Sequence, residues 1–486
     1  MSNGGRSILS LTPLVDDAEA DQPLELAVYD ILLPCRRFTI DHKVAMLGSV
    51  SLTSEFMLRL VRSVEGIRET HAADFFGFDR REMSFVISEV EAHGYLERAD
   101  GRLWLTKAGE ALFRAGSQHP EIFEVEQRSE RVGFDLIALA PQEFTPLDKF
   151  QVYLPELKLA DPSLASSATD QMYSAFRKHY LETTNRRDQS SKRSLYSIDR
   201  IVAAERFSSP IRISVRSTGL HPSIAEPDLS NWRPENERDD RGAIVQAAAK
   251  FIETLEASRR PDDRASYQIL SELAPEFLRE FIRRDGLAIE RYYREAFTRV
   301  GEVRSDRPTI PLLGSLFTRG NTGKFLEVAA YAVRPLVVQP AFAIWLTPQM
   351  GNWGATQLLP EILNQIKSNI LRTPSEGEMD PKTIAMVAGK PAKYLEFAFD
   401  IVATSESPRS PPRLEILIIP GALVAATIAA PINTPTGTPV PLGLLSFDSA
   451  VVQRAQAYVG ELIADYTFPP GLYQAVEMAL DLEAAS

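Results

Sequence analysis

The sequence predicts a multidomain α+β protein, and three observations support this fold class. The chain has 486 residues, more than a single hydrophobic core normally serves. Its composition, 44% hydrophobic and 24% charged, is typical of packed domains and not of disordered chains. Segments with helical spacing of apolar residues alternate with short strand-like runs along most of its length. We therefore expect several folded domains.

Shifts in pattern divide the chain into five predicted regions. The C-terminal one contains strand-like runs at Leu336–Val338, Phe342–Leu346, Tyr394–Ala403 and Leu414–Ile419, which alternate with predicted helices at Thr356–Leu371 and Val451–Tyr466. The predicted regions are a disordered tail (1–22), a mostly helical domain (23–117), an α+β middle region with a basic helical segment (118–219), a linker with a helical subdomain (220–304), and an α/β or α+β C-terminal domain (305–486).

Charge and cysteine content exclude several classes of protein. The formal net charge is -12, so any contact with nucleic acid must be local rather than spread over the surface. Cys35 is the single cysteine, which excludes an intrachain disulfide and a cysteine-based zinc cluster. The longest apolar runs are interrupted by proline and glycine, short of the ~20 residues of a membrane-spanning helix. We expect a cytoplasmic protein with no membrane partner and no cofactor.

The clearest pattern lies between Ser51 and Phe113. Two helices are predicted at Ser51–Val64 and Arg68–Phe76, and Asp79 is placed to cap a third. The third helix has apolar residues at Met83, Val86, Ile87 and Val90, a spacing that buries one face and leaves the other free. An alternating strand pair around an Ala99-Asp100-Gly101 turn follows.

This segment resembles the winged-helix domains of MarR-like and PadR-like bacterial regulators, down to the Leu-Thr-x-x-Gly sequence after the strand pair. The resemblance covers about an eighth of the chain. It implies an N-terminal winged helix-turn-helix that binds duplex DNA. It also implies Arg80, Arg81 and Ser84 as recognition-helix positions, and Arg98 and Arg102 as positions in the wing.

A basic segment after Met172 is a second candidate for contact with DNA. Between Met172 and Arg216, ten basic residues outnumber four acidic ones, and Tyr173, Tyr180 and Tyr196 could stack on bases. The alternative interpretation is a solvated helical face. The candidate phosphate contacts in this segment are Arg186, Arg187, Lys192 and Arg193.

Catalytic constellations are sparse. Glu156-Leu157-Lys158, with Asp135 and Asp148, has the acid-x-Lys form of a Mg²⁺-dependent nuclease, although Pro155 would disturb a central strand. Thr318 and Phe325 replace key residues of a phosphate-binding loop, which argues against nucleotide hydrolysis there. No histidine or cysteine follows Pro222, so the C-terminal domain cannot by itself build a Ser-His-Asp or Cys-His site.

These observations favour a DNA-binding accessory or scaffold protein over an enzyme. A winged helix contacts duplex DNA in this hypothesis, while the C-terminal domain docks partner proteins of a bacterial DNA-processing or antiviral defence complex. A homodimer is compatible with the sequence. Winged helices also serve as protein-interaction modules. A Mg²⁺-dependent nuclease and a ligand-responsive transcriptional regulator are the alternative functions.

Overall fold

The computed structural model divides the chain into two compact units, each built from separate stretches of sequence. Unit 1 comprises residues 1–35, 135–164 and 206–486, and unit 2 comprises residues 36–134 and 165–205. The residues that the structure describes are 23–47, 52–113, 120, 123–159, 164–185, 193–218, 221–232, 242–260, 263–283, 286–288, 291–292, 305–374, 379–432 and 434–481. Both units contain helices and strands, so the predicted mixed α+β class with more than one domain is confirmed.

The smaller unit contains most of the elements up to residue 205. Its own hydrophobic core is formed by one face of each of three helices and by the strands that follow them. The elements from the start of the described chain are β1 (Pro23–Leu47), α1 (Leu52–Ser63), β2 (Ile67–Arg68), α2 (Glu69–Phe76), α3 (Arg80–Ala92), β3 (Leu96–Ala99), β4 (Arg102–Leu105), α4 (Lys107–Ala111), β5 (Phe123–Asp135), α5 (Leu164–Asn185) and β6 (Arg193–Thr218).

The first of these elements corrects the expectation of a mostly helical segment from Leu24. Strand β1 occupies residues 23–47. Its side chains alternate between buried and less buried positions towards both ends, while residues 28–35 in the middle are all buried. Leu24 and Leu26 are buried near its start, and Phe38, Ile40 and Val44 are buried towards its end. A period of two is the burial pattern of a strand. Apolar residues three or four positions apart also occur in this segment, but they do not indicate a helix here.

The basic segment is also less helical than predicted. Helix α5 ends at Asn185, and strand β6 begins at Arg193. Ile211, Ile213 and Val215 are buried along β6 at a spacing of two, which explains why this half of the segment is extended. Residues 150–154 have a strand-like apolar pattern in the sequence, but a 3₁₀ turn occupies Gln151–Tyr153.

Unit 1 is organised around a seven-stranded sheet. Its strands are hydrogen-bonded in the order β11-β18-β16-β15-β12-β13-β14, with the last three parallel and the others antiparallel. The elements after β6 are β7 (Glu226–Asp228), α6 (Gly242–Glu253), β8 (Ala257–Ser258), α7 (Asp263–Leu273), α8 (Pro275–Arg279), β9 (Ile282–Arg283), β10 (Gly286–Leu287), β11 (Thr309–Leu313), α9 (Arg319–Val333), β12 (Phe342–Leu346), α10 (Leu358–Asn369), β13 (Lys382–Ala388), α11 (Leu395–Ala398), β14 (Ile401–Ser405), β15 (Leu414–Ile419), β16 (Leu423–Ala430), β17 (Thr436–Gly437), β18 (Val440–Ser446), α12 (Ser449–Leu462) and α13 (Leu472–Leu480).

The central strands of this sheet are covered on both faces. Every residue of β15, β16 and β18 is buried, which is typical of a sheet between two layers. Helices α7 and α12 pack against each other and against β16, while α9 packs on α10. The chain therefore supplies a large apolar core to unit 1.

Several elements of the C-terminal region were predicted directly. Strands β12 and β15 have the predicted bounds, and helix α10 lies within its predicted range. Helix α12 begins at Ser449, two residues before its predicted start, and ends at Leu462. Leu336–Val338 is not a strand, and Val337 and Val338 are instead exposed in a turn. The predicted strand Tyr394–Ala403 is divided between α11 and β14. None of the helices in the described ranges is both long and apolar enough to cross a membrane.

Candidate functional site

Residues 52–113 of unit 2 form four helices and a small antiparallel sheet. The strands are ordered β2-β4-β3, and Arg98 of β3 pairs with Leu103 of β4. Asp100 and Gly101, at the turn between β3 and β4, both have positive φ angles, of 52° and 69°. Two consecutive left-handed residues are characteristic of the Asp-Gly hairpin turn. The hairpin predicted from the sequence is confirmed.

The start of α3 is fixed by a reciprocal cap. The Asp79 carboxylate accepts hydrogen bonds from the backbone N–H groups of Arg81 (2.7 Å) and Glu82 (2.8 Å). In return, the Glu82 carboxylate accepts one from the Asp79 N–H at 2.9 Å. This capping box satisfies backbone donors that a helix N-terminus leaves unpaired. Both acidic side chains next to the arginines are thus held by the backbone.

One face of α3 is buried and the other is exposed. Met83, Val86, Ile87 and Val90 lie in the core of the unit, as the spacing predicts. The opposite face consists of exposed residues, with Phe85 having 73% of its surface accessible. Within the described part of the chain, neither Arg80 nor Arg81 has an ion pair through its side chain. The exposed residues of this face are Arg80, Arg81, Ser84, Phe85 and Ser88.

The Leu-Thr-x-x-Gly sequence has a clear structural role. Thr106 caps α4 by accepting a hydrogen bond from the Gly109 N–H at 3.0 Å, and its hydroxyl donates to the Gly94 carbonyl at 2.7 Å. A Cβ atom on Gly109 would lie only 2.0 Å from the Tyr95 carbonyl oxygen. The glycine is therefore required because α4 packs directly on the backbone at the start of the hairpin.

The two arginines of the strand pair differ from those of α3. The Arg98 guanidinium forms an ion pair with Glu69 at 2.8 Å and lies 3.9 Å from Glu91. Arg102 donates a hydrogen bond from Nη1 to the Gly66 carbonyl at 2.9 Å. Both side chains thus stabilise unit 2 itself, and the charge of Arg98 is offset locally.

The basic segment presents fewer of its predicted groups. Arg186, Arg187 and Lys192 lie outside the described residues, and Arg193 begins β6 with a side chain that is not described. Tyr180 is 4% exposed and packs against Phe176 and His42, so it is not available to stack on a base.

The remaining groups of that segment fall into two classes. Tyr173 and Tyr196 are exposed by 40% and 66%, as stacking would require. Arg212 and Arg216 instead form ion pairs with Asp30 and Asp228. The excess of basic residues counted along the sequence therefore overstates the free positive charge.

The residues of the nuclease alternative have structural roles. The Asp135 carboxylate is fully buried and accepts hydrogen bonds from the N–H groups of Ile137, Ala138 and Ala140. Asp148 accepts from the Gln151 N–H, and Glu156 accepts from the Ser208 hydroxyl. In the parts of the chain that the structure describes, no three His, Cys, Asp or Glu side chains are grouped to hold a metal ion.

Unit 1 contains a buried polar cluster that the sequence did not indicate. Asp30 of β1 is 5% exposed and receives two hydrogen bonds from the Arg212 guanidinium. The Thr356 hydroxyl and the Gln357 N–H also donate to its carboxylate. The one charged residue among the otherwise mostly apolar residues 26–35 was the signal available in the sequence, and its partners are distant in sequence.

A second buried acid, Glu415, lies on β15. It is 4% exposed and accepts hydrogen bonds from Trp345 Nε1 at 2.9 Å and Thr427 Oγ1 at 3.1 Å. Burial raises the pKa of Glu415 to about 6, although these donors and the Trp353 indole lower it. A lone glutamate in the otherwise apolar run Leu414–Ile419 was the signal available in the sequence.

Glu415 lines a pocket together with Tyr29, Phe317, Met350 and Trp353. The inner cavity measures about 30 Å³, and the wider recess, including solvent at its mouth, measures about 560 Å³. Trp353 is 9% exposed, and its indole lowers the pKa of the Glu415 carboxylate as a third hydrogen-bond donor. The pocket therefore combines aromatic walls with a carboxylate whose donors come from the protein itself.

Comparison with known proteins does not assign the chain to a family. No protein-family model matches the sequence, and no curated protein matches it either.

Proposed function

We propose that this protein is a DNA-binding accessory protein in which residues 52–113 act as a winged-helix module. The order of its first three helices, α1 to α3, and the β2-β4-β3 sheet are consistent with that module. In it, α3 enters the major groove and its N-terminal residues contact base edges and phosphates. The hairpin of β3 and β4 is the wing.

The observation that carries this proposal is the exposed face of α3. Arg80 and Arg81 lie at the positive end of the helix dipole, where anions are favoured. Ser84 can hydrogen-bond to a base edge or a phosphate, and the exposed Phe85 ring suits apolar contact with a thymine methyl group.

The wing contributes less positive charge than the sequence alone suggests. Arg98 is already paired with Glu69, so moving it to a phosphate would require breaking that pair. We therefore assign most of the electrostatic affinity to α3. The overall charge of -12 further predicts weak binding that is sensitive to salt.

The test compares duplex binding by the intact protein and by an Arg80→Ala, Arg81→Ala variant across a salt series. We expect the variant to lose at least tenfold in affinity at low ionic strength and to show a shallower dependence of log Kd on log salt, because each lost phosphate contact reduces the slope by about 1. An Arg319→Ala, Arg334→Ala variant, which removes two exposed arginines of α9, is the matched control. Equal affinity of both double variants, or no binding by the intact protein, would overturn the proposal.

Unit 1 is then the part that docks partner proteins of a DNA-processing or defence complex. The described residues of unit 1 contain no group of three His, Cys, Asp or Glu side chains placed to hold a metal ion, and its buried acids Asp30 and Glu415 are hydrogen-bonded within the protein. Copurification of a partner protein with the full chain tests this role. A partner that remains bound after nuclease treatment docks on the protein itself, whereas a partner that is lost was bridged by DNA.

A further inference from the structure

Two aromatic rings lie stacked on each other at the surface of unit 1, and we call this pair, Tyr153 and Phe397, the aromatic platform. The ring centroids are 5.2 Å apart and the ring planes are within 6° of parallel. Solvent still reaches 38% of Tyr153 and 41% of Phe397, and exposed apolar clusters of this kind are characteristic of binding surfaces. Among the described residues, Tyr153 is the one ring recorded against Phe397, so a further ring can extend the stack from Phe397.

Buried neighbours hold the aromatic platform in place. Tyr153 ends the 3₁₀ turn, and the buried Phe150 precedes that turn. The Phe150 ring contacts the ring of Tyr394, the residue before α11, with centroids 5.7 Å apart. The Tyr394 hydroxyl in turn donates a hydrogen bond to the Trp353 carbonyl at 2.8 Å. The segments that carry Tyr153 and Phe397 are therefore fixed to each other before any ligand arrives.

The fold places the aromatic platform at an edge of the sheet that suits a ligand. Strands β12, β13 and β14 are parallel, and residues 389–394 connect the carboxyl end of β13 to α11. In open sheets flanked by helices, ligands bind outside the carboxyl ends of parallel strands. Helix α11, which carries Phe397, begins at this edge.

Three exposed lysines on the same two segments supply positive charge. The Lys393 ammonium lies 4.4 Å from the centroid of the Tyr153 ring, and Lys149 and Lys390 are the other two. In the described part of the chain, none of the three forms an ion pair, and Glu396 acts on Lys393 only from beyond ion-pair distance. An aromatic ring attracts a cation without cancelling its charge, so these lysines can still pair with phosphate groups.

We propose that the aromatic platform binds single-stranded nucleic acid, with one base stacked on Phe397 and the adjacent phosphates paired with the three lysines. A single strand fits because the faces of its bases are accessible, whereas the bases of a duplex are paired and stacked on each other. Stacking requires no particular hydrogen-bonding edge, so the site should accept any base. It lies wholly within unit 1 and is independent of duplex binding by unit 2.

Fluorescence anisotropy with labelled strands of about 15 nucleotides, the upper range of a single-strand site, tests the proposal. The full chain carries the Arg80→Ala, Arg81→Ala substitutions, so that the proposed duplex contacts of α3 do not contribute. The probes are oligothymidine, oligouridine and an abasic strand that has the same phosphates but no bases.

We expect the thymidine or the uridine strand to bind at low ionic strength, and their ratio gives the preference for DNA or RNA. The abasic strand should bind about tenfold more weakly, which is about what the loss of one stacked base costs. Equal binding of the abasic strand, or no binding of any strand, would overturn the proposal.

Substitutions of Phe397 in the same background assign the binding to the aromatic platform. Phe397→Ala should weaken binding of the thymidine strand about tenfold and leave binding of the abasic strand unchanged. Phe397→Trp keeps an aromatic face and should retain the affinity, which separates stacking from an effect on folding. Met478→Ala, which shortens an exposed apolar side chain of α13, is the matched control. Equal affinity of Phe397→Ala and Met478→Ala would show that the bases lie elsewhere and that the proposal is wrong.

A salt series tests the phosphate contacts of the lysines. Each phosphate contact with a single strand contributes about 0.7 to the slope of log Kd against log salt. Lys390→Gln, Lys393→Gln should therefore lower the slope by about 1.4 for the thymidine strand. The Arg319→Ala, Arg334→Ala variant removes the same number of charges from α9 and should leave the slope unchanged. The same slope for both double variants would contradict phosphate binding by these lysines and overturn the proposal.

Discussion

Asp30 and Arg212 form a two-point ion pair between strands β1 and β6 of unit 1, with N–O distances of 2.8 and 3.0 Å. The same carboxylate accepts hydrogen bonds from the Thr356 hydroxyl at 2.9 Å and the Gln357 N–H at 2.6 Å. Asp30 thus links two strands to the residues that precede α10. The hydrogen bond to Asp30 also raises the pKa of the Arg212 guanidinium.

Removing Asp30 should destabilise unit 1 more than removing Arg212. Asp30→Ala leaves a guanidinium, a hydroxyl and a backbone N–H without their acceptor, so we expect a loss of about 3 kcal/mol in the free energy of unfolding. Arg212→Ala leaves Asp30 with two donors and should cost about 2 kcal/mol. Urea denaturation followed by tryptophan fluorescence measures both.

The matched control is Arg216→Ala. Arg216 lies in the same strand as Arg212 and forms a more exposed ion pair, with Asp228 of β7. Exposed pairs contribute little, so its cost should stay below about 1 kcal/mol. Equal losses for Arg212→Ala and Arg216→Ala would show that burial of Asp30 adds nothing to its ion pair.

Glu415 should give unit 1 a specific dependence of stability on pH. Its pKa rises from 4.5 to about 6 on folding, so its contribution to stability is fully present below pH 4.5 and is lost as the pH rises through about 6. The shift corresponds to on the order of 2 kcal/mol. The free energy of unfolding of Glu415→Gln minus that of the unaltered protein should therefore be larger at pH 8 than at pH 4.5. Denaturation of both proteins at both pH values measures this difference. A relative stability that does not change with pH would contradict the raised pKa.

Gly109 should be essential to unit 2. Its substitution by alanine places Cβ against the Tyr95 carbonyl oxygen, which itself accepts a hydrogen bond from the Thr106 N–H and cannot move freely. We expect Gly109→Ala to cost about 3 kcal/mol through overpacking and to speed hydrogen exchange in peptides from residues 52–113.

Gly323→Ala is the comparison for this glycine. Gly323 also lies in a helix, α9, but a Cβ atom there meets nothing within 4 Å. Alanine should stabilise that helix by up to about 1 kcal/mol. Unchanged exchange in unit 2 of Gly109→Ala would show that α4 can shift away from the hairpin.

Two substitutions of Asp79 can separate its role as the cap of α3 from the effect of its negative charge next to Arg80 and Arg81. Asp79→Ser retains a capping oxygen and should leave stability nearly unchanged, whereas Asp79→Ala should cost about 1 kcal/mol. If α3 contacts DNA, the serine variant should bind duplex about twofold more tightly, since one unit charge at ~8 Å in water is worth about 0.5 kcal/mol. Thermal denaturation and a binding titration provide the two readouts. Tighter binding by neither variant would indicate that α3 does not face the phosphates.

The local sequence pattern was sufficient to predict an element that buries one of its faces. The apolar spacing of Met83, Val86, Ile87 and Val90 identified α3, and Asp79 marked its start, because helix capping and amphipathic burial depend on residues within a few positions of each other. The apolar sequence of β12 and the nearly apolar sequence of β15 also identified two buried strands, because a short strand covered on both faces is apolar at successive positions.

Tertiary structure decided which charges are free and which are paired. Arg98, predicted to contact DNA, forms an ion pair with Glu69 at the start of α2. Asp30 meets its partners Arg212 and Thr356 across separations of 182 and 326 residues. No periodicity encodes such encounters, since they depend on how distant strands come together.

The sequence by itself therefore determined the α+β class, the helices and hairpin of residues 52–113, and the exposed basic start of α3. Only the tertiary structure revealed that the N-terminal segment is a long strand, that two compact units are each assembled from separate stretches, and that Glu415 lies against three aromatic rings in a pocket. The physical reason is that secondary structure follows from short-range burial patterns, whereas a pocket and its buried charge exist only after remote segments have packed together.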